Sequence, residues 1–414
     1  MEPTTTWDIA IVGAGLAGAS AAAVLSKKGA RVVLLDPRET YPACFKAEKI
    51  EPDQADLFRK FGLLEGLLPF TSRIRNIVGA RNKCILKVRN IEQYGIFYQD
   101  MVNGVRKQLP ASVTWKIARV QNIVPGPEIS KVALMGGETI AARLVVLACG
   151  GGGKLLSGLG IRKRMIRERH SFSLGFNIAR DDGKPFPFDS LTYYPGAFST
   201  HVAYVTLFPI RGVMRANYFV YRVPGEEWVS RFSKNPDEQL RQDLPKIGHF
   251  TGPFHVAGRV EMCPIDLYRA EGHVQPGLVL LGDVYQGPCP TTGMGVSKVL
   301  TDVEVLCNEC VTEWLSTPGM GVEKIVQFYQ NSRKQTVDAD ALTGAEYRRL
   351  LSTAPSLRWR IHRELSYLRS LFSEMSTLRN VSKVIGQGMR RLGLIKGRRP
   401  YSAASAVRHS GGRR

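Results

Sequence analysis

The sequence predicts a mixed α/β fold: a parallel sheet wound with helices, an inserted mixed β-sheet unit, and a helical segment at the C-terminal end. Three observations predict it. An apolar strand, a glycine-rich turn, an alanine-rich helix and a second apolar strand follow one another between Asp8 and Asp36. A further strand-sized run, Gly277–Leu281, ends in Gly282-Asp283 and leads through a proline-rich loop into another glycine-rich helix start. Between these lie Ile74–Phe97 and Phe172–Tyr221, rich in β-branched and aromatic residues and broken by Pro and Gly, as the strands of a sheet layer are.

Asp8–Val12 reads as the first strand, Gly13-Ala14-Gly15-Leu16-Ala17-Gly18 as the turn, Ala19–Lys28 as the helix closed by Gly29, and Arg31–Asp36 as the second strand. In such a unit Gly13 permits the tight turn, Gly15 lets a pyrophosphate approach the backbone, and Gly18 lets helix and strand pack closely. The phosphates then sit on a helix N-terminus, where free N–H groups and the dipole favour negative charge. Asp36, 18 residues after Gly18, is placed to accept hydrogen bonds from ribose hydroxyls. The later segment selects the dinucleotide. A carboxylate at Asp283 suits a ribityl hydroxyl, and the helix start at Gly293-Met294-Gly295, after Pro288-Cys289-Pro290, presents N–H groups to the electron-rich side of a reduced isoalloxazine.

With these residues in view, the chain resembles the FAD-dependent monooxygenases of the p-hydroxybenzoate hydroxylase type, over about residues 7–310. The resemblance implies a Rossmann-like FAD-binding domain of the glutathione-reductase type with an inserted substrate domain. It implies that Gly13, Ala14, Gly15, Ala17, Gly18, Asp36 and Pro37 bind the ADP half of FAD. Gly282, Asp283, Pro290, Gly293, Met294 and Gly295 would take the ribityl and flavin half, with Val120, Cys149 and Gly150 also at the cofactor. Phe45–Ile50 looks like the family's Arg-x-Gly-Glu/Asp segment, which puts Lys46 on a flavin-contacting arginine, a point charge in place of a bidentate fork. Gln99 falls where the family sets an Arg or Gln against the pyrophosphate, and reads equally as an ordinary polar residue at a helix start.

One departure stands out. Ala142–Gly150 matches a segment that in the family reads Ala-Asp-Gly, and Cys149 replaces the Asp. That aspartate helps join FAD binding to nicotinamide binding, so its loss bears on direct reduction by NADH or NADPH. Cys149 itself reads as an inert thiol at the end of a core strand.

The pattern divides the chain into an FAD-binding unit over 1–73, 99–180 and 276–345, and a substrate unit over 74–98 and 181–275. Basic amphipathic helices over 346–395 and a basic tail over 396–414 follow. Tyr193, Tyr194, His201, Tyr204, Arg211, Arg215 and Tyr218 are candidates for a substrate pocket, although strand alternation forbids Tyr193 and Tyr194 from facing it together. Arg162–Arg169 reads as a solvated loop and strand start. Cys307 and Cys310 have zinc-like spacing without a second Cys/His pair, and read as helix-packed thiols; no metal is expected.

Length and composition bound the rest. The 414 residues are 44% apolar and 22% charged, which excludes a disordered polyelectrolyte. Seven cysteines, an odd number, fit reduced thiols, and Met1-Glu2 puts an acid where a secretory signal would carry basic residues, so a cytoplasmic protein is expected. The longest apolar runs fall short of the roughly 20 residues that span a bilayer. A net charge of +21 would ordinarily suggest nucleic acid, but residues 346–414 hold 16 Lys and Arg against three Asp and Glu. No specific nucleic-acid binding is therefore expected. Ile361, Leu365, Leu368, Phe372, Met375 and Leu378 form an apolar stripe at helical spacing, with Arg358, Arg360, Arg363 and Arg369 on other faces. That helix is expected to pack across the FAD-binding unit; the sharper alternative is peripheral contact with a membrane or an acidic partner.

The activity the resemblance implies is hydroxylation or epoxidation of an aromatic or polycyclic small molecule. A flavin C4a-hydroperoxide would form from O₂ after reduction by a nicotinamide donor, and no catalytic side chain can be singled out. Two alternatives stand beside it: a reductase or dehydrogenase of the geranylgeranyl-reductase type acting on an isoprenoid or lipid-like substrate, and a non-catalytic FAD-binding protein that docks through its basic end. The halogenase Trp-x-Trp-x-Ile-Pro motif is absent.

Overall fold

A computed structural model describes residues 6–375. Parallel strands covered on both faces need continuous apolar runs, and the first sheet is built from them. It comprises β1 (Thr6–Val12), β2 (Val32–Asp36), β6 (Thr114–Ile117), β7 (Val120–Val124), β8 (Ser130–Leu134), β9 (Thr139–Leu147) and β15 (Leu278–Leu280). Their order is β6-β2-β1-β9-β8-β7, with β15 also paired to β9; β8 runs antiparallel to its neighbours β7 and β9, and the other pairs are parallel. Ile9–Ile11, Val32–Leu34, Leu144–Leu147 and Leu278–Leu280 are fully buried. The Leu16–Lys27 helix packs on this sheet with almost no side-chain bulk, through Ala19, Ala21, Ala22 and Ala23.

The second sheet holds β3 (Lys49–Ile50), β4 (Ser72–Arg81), β5 (Cys84–Gly95), β10 (Arg162–Arg180), β11 (Ser190–Tyr194), β12 (Val202–Ile210), β13 (Val213–Val220), β14 (Phe254–Glu271) and β16 (Gln286–Gly287). The order is β16-β14-β10-β13-β12-β11-β4-β5-β3. Short helices, Glu227–Lys234 and Pro236–Asp243, bring Trp228, Phe232 and Leu240 onto one face, against Tyr218, Phe176 and Tyr193. The alternate residues Ser173, Tyr204, Thr206, Asn217 and Phe219 line a chamber on the other face.

The structure differs from the sequence reading in two places. Arg162–Arg169 is strand from its first residue, because β14 runs antiparallel alongside and pairs with it; the run is solvated, and register breaks at Met165/Arg167 and Arg167/Ser171 absorb its irregularity. The second sheet thus takes chain that the sequence assigns to the FAD-binding unit, including β3 and β16. The second difference is the Leu357–Met375 helix, which lies on β5 of the second sheet and against the Ser332–Thr353 helix. Its apolar stripe faces outward: Leu357 is 69% exposed, Ile361 51%, Leu365 44% and Leu368 45%. The inward face is set by Arg363, which donates to the carbonyls of Leu351 and Ala354, and by Arg81, which forks onto Glu364 at 2.6 and 2.7 Å and covers the Tyr367 ring. Side chains from Phe372 onward, Met375 and Leu378 among them, and the expected tail over 396–414 lie outside the description.

Cys307 and Cys310 sit in a wide π-type turn, Val305–Cys310, buried in the first core. Burial pushes both thiols up, Cys310 to about 12. Among the described residues no group of His, Cys, Asp or Glu could hold a metal, and no helix is long and apolar enough to cross a membrane.

Candidate flavin-binding site

The glycine loop is held by contacts that only glycine permits at two of its three positions. Gly13 has φ +102°, and a Cβ there would lie 2.7 Å from the Ala148 carbonyl oxygen. At Gly18 a Cβ would come within 1.9 Å of the Gly13 oxygen. Gly15 differs: its φ is −69°, and a Cβ would meet no protein atom within 4 Å. Nothing among the described residues requires glycine there, whereas a phosphate approaching the start of the Leu16–Lys27 helix would. This open cradle is the observation that fits FAD.

Asp36 ends β2 and is buried. Its carboxylate accepts the Ala14 N–H at 2.8 Å and, across the turn at Pro37, the Arg38 N–H at 2.9 Å, so it clamps the loop and keeps lone pairs for a ribose. Sequence reasoning missed the residue that completes this clamp. Arg106, buried at the end of the Tyr98–Arg106 helix, donates to Ala14 O at 2.7 Å and to the Arg38 and Glu39 carbonyls, and its Nη2 lies 3.5 Å from Asp36. Burial lowers its pKa against the opposing pull of Asp36. The available signal was a charge one helical turn past Val102, on the face that Met101, Val102 and Val105 bury.

At the flavin end, a chamber of about 440 Å³ lies between the two sheets. One side is Leu16, Gly151, Asp283, Pro290, Gly293, Gly295, Val296 and Val299; the other is Ser173, Tyr204, Thr206, Asn217, Phe219, Pro264 and Ile265. Lys46, Glu48 and Tyr98 also line it. Gly282, at φ +75°, turns the chain at the end of β15, and a Cβ on it would sit 3.4 Å from Ala17 Cβ, so the two glycine motifs meet in the core. Lys46 Nζ stands 3.4 Å from Asp283 and 5.5 Å from the Tyr98 ring centroid. Burial pulls the ammonium down, but Asp283, Tyr98 and Tyr41 outweigh it and hold Lys46 above its ordinary range. Gln99, Val120, Met294, Cys149 and Gly150 do not line this chamber. Met294 caps the Gly295–Glu304 helix, Val120 opens β7, and Gln99 stands in the first turn of the Tyr98–Arg106 helix. The backbone of Cys149 lies against Gly13, and burial raises its thiol to about 11, which leaves it protonated at neutral pH.

Two charged networks that the sequence did not reveal support the chamber. Glu48 is held by Arg215 through two bonds of 2.8 and 3.0 Å and by Asn217 at 2.7 Å; burial raises its pKa against these donors. Arg215 also meets Glu261 at 2.5 Å. Behind Asp283, Lys298 and Lys334 alternate with Asp302 and Asp338 in a buried square with edges of 2.7 to 3.1 Å. Burial alone would raise the Asp302 carboxyl, but the two lysines hold it below its ordinary range, and it accepts the Gly282 N–H at 2.9 Å. The signal was a pair of Lys-to-Asp steps of four residues on two helices.

Of the substrate-pocket candidates, Tyr204 lines the chamber, and Tyr194 packs on it with ring centroids 5.8 Å apart. Arg215 reaches the chamber wall through Glu48. Tyr193 and Tyr218 face the opposite layer, bonded to Asn82 O and Asp243, as alternation requires. Arg211 lies at the surface against Asp100, and His201, at φ +55°, does not line the chamber.

Solved structures share this architecture. p-Nitrophenol 4-monooxygenase PnpA from Pseudomonas putida DLL-E4 superposes with a TM-score of 0.71 at 16% identity, covering 92% of this chain and 99% of that one. OxyS anhydrotetracycline hydroxylase from Streptomyces rimosus gives 0.65 at 18% identity, over 92% and 76%. A mutant of the halogenase PltM, in complex with FAD, gives 0.65 at 14%, over 84% and 76%. No curated protein matches the chain in sequence. Residues 6–340 match the family described as FAD binding domain, and the chain accordingly belongs to the FAD-binding domain family, as a flavoprotein with the fold of the flavin hydroxylases.

Proposed function

We propose that the protein is an FAD-dependent monooxygenase that uses O₂ and NADPH or NADH to hydroxylate or epoxidise an aromatic or polycyclic small molecule. The observation that carries this reading is the chamber itself. It is mostly apolar, large enough for a ring system, and bounded by the flavin motifs on one side and by Tyr204, Phe219 and Pro264 on the other. FAD would be held by the Gly13–Gly18 loop, Asp36, Asp283 and the Gly293–Gly295 helix start, and when bound would supply electron transfer and O₂ activation. The chain's own residues bind and exclude: Leu16, Phe219 and Ile265 keep water from the chamber, Lys46 sets a positive charge beside Asp283, and Glu48, fixed by Arg215, shapes its polar end. On this reading the second sheet is the substrate layer and the first the cofactor layer.

The test is oxygen uptake and nicotinamide oxidation with a panel of aromatic and isoprenoid compounds. A hydroxylated or epoxidised product formed with matching O₂ consumption supports the reading. Product formed anaerobically with a chemical reductant would replace it with a reductase, and bound FAD that turns over no compound in the panel would favour a binding protein. The replacement of Asp by Cys149 makes the rate of flavin reduction by NADH against NADPH the informative first measurement.

A further inference from the structure

The Leu357–Met375 helix leaves an apolar stripe outside, unlike an ordinary surface helix. Arg363 is buried on two backbone carbonyls and Tyr367 lies beneath Arg81, whose guanidinium also forks onto the half-exposed Glu364. Leu357, Ile361, Leu365 and Leu368, at steps of four, four and three, form one outward stripe. Arg81 belongs to β4 and Arg363 bonds the end of the preceding helix, so the rotation that exposes the stripe is locked from two sides. Exposed aliphatics scattered singly need no explanation, but four on one face of one helix mark a contact surface.

Charge selects the occupant. Arg358 and Arg369 border the stripe on one side, both exposed. The chain continues past the helix with ten Lys and Arg and no Asp or Glu over residues 376–414. A second copy seated on the stripe would bring arginines bordering it against arginines of the same kind and repel. An anionic bilayer surface accepts both features at once: apolar side chains enter the acyl boundary while arginines meet lipid phosphates. We propose that this helix seats the protein on an anionic lipid surface through Leu357, Ile361, Leu365 and Leu368, with Arg358 and Arg369 binding the headgroups. The seat adjoins the chamber wall, because Tyr367 packs on Tyr194 with centroids 5.7 Å apart and Tyr194 packs on Tyr204, which lines the chamber.

The experiment is co-sedimentation of the full-length, flavin-loaded protein with phosphatidylcholine vesicles and with mixed phosphatidylcholine–phosphatidylglycerol vesicles. Binding is expected to the mixed vesicles and to weaken with salt. The charge-neutral double variant Ile361→Gln/Leu365→Gln should lose about tenfold or more in vesicle affinity, since two anchoring side chains are removed. Both positions are exposed, so its flavin absorbance and thermal midpoint should match the parent. Equal binding to both vesicle types would overturn the proposal, as would undiminished binding by the double variant, even if removal of residues 376–414 abolished it. A wild-type dimer that the variant dissolves, without vesicle binding, would assign the stripe to a second copy. Capture by an acidic polypeptide but not by vesicles would assign it to an acidic protein.

Discussion

Replacing Gly15 with alanine separates the part of the glycine loop that serves the fold from the part that serves the cofactor. The residue has extended backbone that alanine adopts freely, and its Cβ would meet no protein atom within 4 Å. As the N-cap of the Leu16–Lys27 helix, alanine in place of glycine costs about 0.5–1 kcal/mol. The reduced freedom of the unfolded chain returns about 0.4–1 kcal/mol. The two offset, so apoprotein stability should stay within about 1 kcal/mol of the parent. The added methyl would instead push a pyrophosphate off the helix N-terminus, and each charge-assisted bond lost is worth about 1.5–3 kcal/mol, or about 10- to 150-fold in FAD affinity. Gly18→Ala is the contrasting variant, since its Cβ would collide with Gly13 O at 1.9 Å and the fold itself should suffer. Urea denaturation of the apoprotein and flavin-fluorescence titration read the two quantities separately. Parental FAD affinity in Gly15→Ala would refute placement of the phosphates on this helix, and a large loss of apoprotein stability would refute the reading of an open cradle.

Lys298→Met should cost about 3–5 kcal/mol in chemical denaturation by leaving a carboxylate of the buried square short of its partner, whereas Lys298→Met/Asp338→Leu should recover much of that loss, because Lys334 and Asp302 remain paired. Burial lowers His170 from 6.5 to about 4, so the unfolded chain takes up its proton first; stability should fall as pH drops from about 6.5 towards 4, and His170→Phe should flatten that slope in urea titrations across the window. With its thiol near 11, Cys149 should be alkylated slowly at neutral pH, at a rate rising about tenfold per pH unit, and Cys149→Ser should bind FAD as the parent does; peptide mapping after iodoacetamide treatment and the flavin content of the variant check the two statements.

The units legible in the sequence are those whose signals are local. The strand, turn, helix and strand from Asp8 to Asp36 announce themselves by apolar runs and glycine spacing, and the structure joins them as β1, helix and β2, with the parallel pair Ile9–Val12 and Val32–Leu35 in register. Gly282-Asp283 and the Gly293–Gly295 helix start were legible for the same reason. Arg106 was not, because its value depends on Asp36 and on the carbonyls of Ala14, Arg38 and Glu39, all more than 60 residues away. The pairing of Glu48 with Arg215, 167 residues apart, was hidden in the same way, as was that of Lys298 with Asp338 across two helices.

The C-terminal helix shows the division most plainly. Its amphipathic period was determined by the sequence alone, since side-chain spacing at 3.6 residues per turn is a property of the segment. Which face turns inward was decided by the tertiary structure. Arg81 covers Tyr367 and forks onto the half-exposed Glu364, and the carbonyls of Leu351 and Ala354 satisfy Arg363, so the face that carries Arg363 and Tyr367 is bound and an apolar one is left outside. Periodicity states that a helix has two unlike faces; only the partners that the fold brings to it determine the face that is buried.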